Sequence, residues 1–412
     1  MTSLVDGPTD GEARARAAGC PIVDLDYSAE RPVGHHMQRL EQLREEGPLL
    51  WNRNGAYWVA TRASLIREIF QAPTVFNNDS ISPGDPDPVY KWIPSNVNPP
   101  QHVQYRQILN RAFGPAAVAR AEPTTRQYAR EAIEAIRDRG HADLMSEFAS
   151  LYPTRVFLEA VDLPWEEAPM FTTWADTIFD GLIGNSGATV EAALDAMRSI
   201  REYFIVAMED RRARPRDPAD DFLTHVMGST IDDEPIPDDD VLNIFNQLVI
   251  AGLDTVKTTL GYSFLHLATH AGDRRRLVDD PAVIPNAVEE LMRAYGFIME
   301  GRKLGEDIDF HGCPMKRGDM VMLMLPAAMR DPEAYDHAGE VDFDRANVTH
   351  LAFGGGPHRC LGSHLARMEL QVGMSEWHAA IPDYELDGEI GEVRERGGQL
   401  TVRSLPLRWP PS

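Results

Sequence analysis

The stretch HLAFGGGPHRCLGSHLARMEL, residues 350–370, decides how the rest of the chain is read. Gly354, Gly355 and Gly356 carry no Cβ, so the backbone can turn tightly there and approach a flat object closely. The residues after Cys360 read as an amphipathic helix, which places Cys360 at the helix mouth. There the helix dipole and the amide hydrogens of the turn favour a thiolate. On these residues alone three uses stay open. The thiolate ligates a metal, the cysteine is buried and structural, or it joins His358 and His364 in a zinc site that lacks a second thiolate at matching spacing.

The chain has 412 residues and a net charge of −24, which disfavours general binding to nucleic acid or anionic lipid and serves solubility. A 43% hydrophobic share with 25% charged residues is that of a folded globular chain, not a disordered one. No apolar run is long enough to span a bilayer, and MTSLVDGPTDGEARARAAGC at the N-terminus lacks the apolar core of a secretory signal. A cytoplasmic protein is expected. Cys20, Cys313 and Cys360 are too few and too scattered for a disulfide framework or a four-cysteine metal site, which suits a reducing compartment.

Apolar residues recur at helical spacing in residues 123–140, 191–215, 238–272 and 286–297. Strand patterns with turn punctuation occur around AYWVATR, IDFHGCPMKRGDMVMLML and LTVRSLPLRW. Residues 76–100, rich in Pro, Asn, Asp and Ser, read as a long loop of the kind that carries function. The expectation is a mainly α fold with small β-sheets. A mobile N-terminal extension covers residues 1–30 and one domain covers residues 31–412.

FGGGPHRCLG resembles the heme-binding loop of the cytochrome P-450 superfamily. The resemblance implies a triangular helical prism around a buried heme b, with dioxygen as co-substrate. It makes Cys360 the axial thiolate of the heme iron, places Phe353 over the sulfur with Gly354 beside it, and gives His358 to a heme propionate. In EELMR, Glu290 and Arg293 resemble the family's Glu-x-x-Arg pair, which Arg345 of FDRAN joins to lock the heme-side core. Alone, such a pair is more often a solvated helix pair. Arg302 in MEGRKL resembles a propionate-binding arginine, and His102 and Arg106 in PPQHVQYR stand one turn apart as the family's second propionate pair. The resemblance runs from about residue 30 to the C-terminus.

Within QLVIAGLDTVKTTL, Ala251 and Gly252 remove side chains from one turn, and the Thr255 hydroxyl is placed to bond the carbonyl of residue 251 and bend the helix. The stretch is similar to the family's oxygen-binding groove, with Asp254 and Thr255 as the acid and alcohol that relay protons to reduced dioxygen. Outside that context a helix that merely contains Gly and an Asp-Thr step is the favoured reading.

VYKWIPSNVNPP resembles the substrate-contacting loop of the bacterial camphor hydroxylase group, which puts Tyr90, Trp92 and Ser95 near the substrate. A structural tyrosine is the alternative. Gln247, among Leu248, Val249 and Ile250, lies two turns before Asp254 and on its face, as a handle for a substrate oxygen or a partner of a backbone carbonyl. Ile250, Ile298, Met299 and residues 398–400 fall in stretches that wall the family's pocket. A small apolar substrate follows, a terpenoid or branched lipid hydroxylated at an unactivated C–H bond. The chain contains no flavin or iron–sulfur module, so electrons come from a ferredoxin and an NAD(P)H-dependent ferredoxin reductase. Arg106, Arg359 and Arg367 form a basic dock for the ferredoxin on an otherwise monomeric protein. A peroxide-driven peroxygenase and a non-catalytic heme-thiolate sensor are the alternatives.

Overall fold

Asp238–Thr269 is one unbroken helix of 32 residues, buried along most of its length. Its apolar side chains point in all directions, so it can only be satisfied inside a bundle. The helices Leu151–Ala160, Ala168–Ile178, Val190–Ala213, Ile284–Ala294 and Ser363–Ala380 pack around it. Asp238, Asp239 and Asp240 sit in its first turn, where the helix dipole favours negative charge. The computed structural model describes residues 9–26, 30–32, 34–183, 190–346, 348–389, 394–396 and 401–410.

A sheet of 6 strands flanks the helices, in the order Ile22–Val23, Leu49–Asn52, Tyr57–Ala60, Met320–Leu323, Glu300–Leu304, Phe76–Asn77. Leu49–Asn52 and Tyr57–Ala60 are paired so that Trp51 faces Trp58, the rings meeting edge to face at 5.1 Å. The chain is thus mainly helical with small sheets, as expected. Among the described residues no helix is long and apolar enough to cross a membrane.

Of residues 1–30, expected as a mobile extension, the described residues 9–26 pack against the sheet. Asp10–Ala18 is a helix whose Gly11 abuts Trp51 so closely that a Cβ would lie 2.1 Å from the indole. Arg14 donates to the Pro314 carbonyl at 2.6 Å and pairs with Asp319 at 2.9 Å. Cys20 and Cys313, expected to be separate, are joined in a disulfide across 293 residues of sequence. The spacing of cysteines along a chain carries no information about which turns the fold brings together, and this pair is brought together by the helix docking on the sheet.

The loop after Asn77 is irregular, as its composition predicts. Asparagine side chains replace the missing ladder bonds. Asn98 Oδ1 accepts from the Asn78 N–H at 2.8 Å, and Asn96 bridges the Asn78 carbonyl and the Trp92 N–H at 3.0 Å each. The loop leads into helix Gln101–Phe113, then Pro115–Arg137, which starts eight residues earlier than the periodicity suggested and runs through Pro123.

Candidate active site

Residues 351–362 fold as a tight loop. Gly354 and Gly356 have φ of +64° and +63°, and a Cβ on Gly356 would lie 2.2 Å from the Phe70 carbonyl oxygen. Only glycine fits there. The Cys360 N–H donates to the Phe353 carbonyl at 2.8 Å. The helix itself begins at Ser363, so Cys360 lies just outside the first turn rather than within it. Its thiol opens onto a cavity of about 300 Å³. Burial pushes this thiol up, while the Gly362 N–H and the charges of Arg106 and Arg359 act to lower it. These donors and cations suit a sulfur that carries negative charge once a metal is bound.

Across the cavity runs the long helix. Gln247, Ala251, Thr255 and Thr259, four residues apart, line it together with Gly252. The Thr255 hydroxyl donates to the Ala251 carbonyl at 3.0 Å, yet the helix continues without interruption. The space left by Gly252 is filled rather than open, since a Cβ there would lie 2.5 Å from the Phe157 ring. Asp254 is buried and outside the cavity wall. A heptad drifts by about 20° on a helix, enough to carry Asp254 past the edge that Gln247 still occupies. Thr258 Oγ1 donates to the Asp254 carboxylate at 3.4 Å, and Lys257 Nζ stands 3.8 Å from it and 2.6 Å from Asp176 Oδ1. Burial raises the Asp254 carboxyl above its ordinary value, and the nearby Lys257 charge only partly counters it.

The third wall carries one cation, Arg106, and two histidines. Arg106 lines the cavity, and the rings of His102 and His358 lie 3.9 Å apart. His102 Nδ1 and His358 Nε2 are buried without a partner. Burial first, and the neighbouring positive charge second, lower His102 to about 4 and His358 to about 3. A set of desolvated donors with no acceptor fits an anionic group in the cavity, such as heme propionates. Arg302 is buried and stands behind this wall, bonded to Glu300 Oε2 at 2.9 Å and its neighbour's carbonyl at 2.7 Å, with Phe70 under its guanidinium. Glu300 reaches the cavity. Period-two spacing from Arg302 could have pointed to it.

Beneath the loop, Glu290 and Arg293 are completely buried. Arg293 donates to Glu290 at 2.7 and 2.8 Å, and to the carbonyls of Met329, Ala338 and Glu340. Arg345 Nε donates to both Glu290 oxygens at 3.1 Å. The triad proposed from sequence is therefore assembled.

The remaining expected residues divide. Ser95 and Ile298 line the cavity, and Gln247 Oε1 is buried on its wall without a partner. Tyr90 and Trp92 are not on the wall. Their rings pack edge to face at 5.0 Å, and the Tyr90 hydroxyl donates to Asp85 at 3.1 Å. Burial and the Asp85 charge push this phenol up to about 12. Ile250 is core, and Met299 is half-buried off the wall. Residues 398–400 lie outside the described residues. Phe353 lines the cavity with the Arg367 guanidinium stacked on its ring at 4.4 Å. Arg367 is also bonded to Glu289 at 2.6 Å, and Arg106 faces inward, so of the three arginines expected to form a dock only Arg359 is exposed. Sequence reasoning missed Phe157, Tyr295 and Glu369 on the wall. Burial alone pushes the Glu369 carboxyl well up, and its Oε2 has no partner.

The family model for Cytochrome P450 matches residues 25–377. A probable cytochrome P450 127A1 from Sinorhizobium fredii is 30% identical over 389 residues, covering 92% of each chain. Cytochrome P450-terp from a Pseudomonas species is 28% identical over 400 residues, covering 89% of this chain and 92% of its own. The crystal structure of CYP101J2 superposes with a TM-score of 0.85 at 29% identity, covering 100% of both chains. The glycine loop around Cys360, the buried Glu290–Arg293–Arg345 cluster and the cavity wall of Arg106, His102 and His358 thus belong to a member of the cytochrome P450 family, a monooxygenase whose cofactor is heme b and whose co-substrate is dioxygen.

Proposed function

We propose that this monooxygenase hydroxylates an unactivated C–H bond of a small apolar substrate, a terpenoid or a branched lipid, with electrons from a ferredoxin and its NAD(P)H-dependent reductase. The observation that carries the reading is a single cavity walled by the Cys360 thiol on one side and by Gln247, Ala251 and Thr255 on the other. Cys360 would hold the heme iron, and His102, Arg106 and His358, with Arg302 behind them, would meet the propionates. Bound heme supplies a reducible iron on which dioxygen is activated.

The chain's own residues do the rest. Phe113, Phe157, Leu248, Val256 and Ile298 offer the substrate apolar surface, which favours a ligand with few polar groups. Gln247 Oε1 lacks a partner, so it can accept a hydrogen bond from one hydroxyl of that ligand. The Thr255 hydroxyl, its own proton on the Ala251 carbonyl, offers the cavity an acceptor and passes a proton inward only by taking one from behind or by turning. Asp254 lies behind it, holds a proton more readily than an ordinary carboxyl, and is replenished through Lys257 from half-exposed Asp176. Arg359 remains on the surface beside the thiolate loop as a contact for an acidic ferredoxin. We place the protein in the cytoplasm as a monomer, with residues 31–412 as one domain.

Optical titration of the ferric protein tests the substrate class. A panel of terpenoid ketones and alcohols, branched lipids, linear fatty acids and aromatic acids is added, and the Soret band is followed. Terpenoid or branched ligands are expected to shift it to high spin, more weakly in Gln247→Leu when the ligand carries a hydroxyl. A shift by linear or aromatic acids alone refutes the substrate class.

A further inference from the structure

The cavity wall carries a hydrogen-bonded row that the reaction above does not use. Tyr295, just after helix Ile284–Ala294, lines the cavity, and its hydroxyl lies 2.8 Å from His266 Nδ1 on the long helix. His266 is 3% exposed, and its Nε2 lies 2.8 Å from Asp273 Oδ2. The Asp273 side chain is 36% exposed. The order is therefore cavity, phenol, imidazole, carboxylate, solvent. A carboxylate at Nε2 fixes the proton there, which leaves Nδ1 as an acceptor and makes the Tyr295 hydroxyl the donor.

The surroundings favour that arrangement. His270 stacks on His266 at 4.1 Å and Tyr262 on Tyr295 at 6.0 Å, so both rings are held in place. Phe343 packs against the edge of His266. The charges that face the row are Arg293, Arg330 and Asp273 at the phenol, and His270 and Asp273 at the imidazole. Burial lowers His266, which keeps it neutral and able to accept, and pushes Tyr295 up to about 12, so the phenol does not ionise by itself. A phenol that has lost an electron, by contrast, becomes a strong acid and needs a base at hydrogen-bond distance. His266 is that base.

We propose that Tyr295 is a one-electron donor to the heme cavity, with His266 as the acceptor of its proton and Asp273 as the counter-charge. The oxidant is the heme after reaction with peroxide. One electron passes from the phenol to it, the O–H bond of Tyr295 breaks, and an N–H bond forms at His266 Nδ1. A neutral phenoxyl radical is left beside an imidazolium paired with Asp273. An electron from a reductant of the ferredoxin class, with the proton returning from His266, restores the phenol. The row would discharge oxidising equivalents that no substrate has consumed. The inference rests on the reading that heme occupies this cavity.

The test mixes the substrate-free ferric holoenzyme with hydrogen peroxide, freezes it within milliseconds and records its electron paramagnetic resonance. The expected result is a tyrosyl signal whose g-anisotropy is reduced by a hydrogen bond, absent in Tyr295→Phe, weakened in His266→Gln and retained in Tyr262→Phe. A signal of equal yield and shape in Tyr295→Phe, no tyrosyl signal in the wild-type protein, or wild-type g-values of an unbonded phenoxyl would each overturn the proposal. The last measurement needs no variant, so a Tyr295→Phe protein that fails to fold does not protect the idea. The carbon monoxide difference spectrum keeps the two readings apart. Its absence from the wild-type protein refutes heme in the cavity, whereas a normal spectrum with a Tyr295-independent radical refutes the row alone.

Discussion

Replacing Glu290 by Ala removes the acceptor on which the buried cluster beneath the heme loop is built. Glu290 and Arg293 are 0% exposed, and the carboxylate also takes the Arg345 Nε–H and the Asp342 N–H at 3.0 Å. Without it, Arg293 keeps its three carbonyls but carries an uncompensated buried charge, a situation that costs about 3–5 kcal/mol. With an unfolding entropy of about 2.1 cal/mol/K per residue, the whole chain has roughly 0.9 kcal/mol/K, so Tm is expected to fall by about 3–6 °C. Arg293→Met alone removes the charge but strands the carboxylate and the carbonyls, and a similar loss is expected. The pair is tested by the double variant in thermal melts of the holoprotein. Because each single change already destroys the interaction, the double variant should lose about 1–3 kcal/mol less than the two single losses combined. The Asp342–Arg345 segment leads into the Cys360 loop, so heme loss should accelerate in step. A Glu290→Ala protein that melts within about 1 °C of wild type, or strict additivity in the double variant, would refute the reasoning.

Thr255→Ala should keep heme content and the ligand-induced spin shift while product per reduced nicotinamide falls at least about tenfold, a modest share of what a positioned proton donor contributes. Unchanged coupling, measured with peroxide production, would remove Thr255 from the relay. Glu289 is raised by burial, but hydrogen bonds from His350 and Arg367 outweigh this and hold it at about 2. A carboxyl with a depressed folded value stabilises the fold above its unfolded value and loses that contribution as pH falls toward 2. Acid unfolding should therefore start at higher pH in the wild-type protein than in Glu289→Gln once the lower stability of the variant at neutral pH is subtracted, and parallel pH profiles would contradict this. Reducing the Cys20–Cys313 bond should lower stability by about 2–4 kcal/mol, read as a denaturant midpoint with and without dithiothreitol and compared with Cys20→Ser, which should show no response.

What the sequence makes legible here are features whose partners lie a few residues apart. The loop glycines that precede Cys360, the Glu290–Arg293 pair three apart and the His102–Arg106 pair four apart are chemistry written into one turn or one helix face. What it hides depends on how remote segments meet. Cys20 finds Cys313 because a helix docks on a sheet, and Phe157 fills the gap at Gly252 because two helices cross there. Tyr90 turns to Asp85 within its own loop, although a family pattern places it toward substrate. The acid–alcohol pair shows the boundary most clearly. Asp254 and Thr255 are adjacent in sequence, yet a rotation of about 100° between successive helical residues puts the hydroxyl in the cavity and the carboxylate outside it. Adjacency therefore does not make them one site. The carboxylate can serve the hydroxyl only through water or through the backbone turn they share, and its own supply comes from Lys257 and Asp176 on the far side. Asp254→Asn should then slow turnover and steepen its solvent isotope effect while leaving coupling nearly intact, and Thr255→Ala should do the reverse. Identical phenotypes in the two variants would mean that the pair acts as a single group and that the side of the helix on which each lies is immaterial.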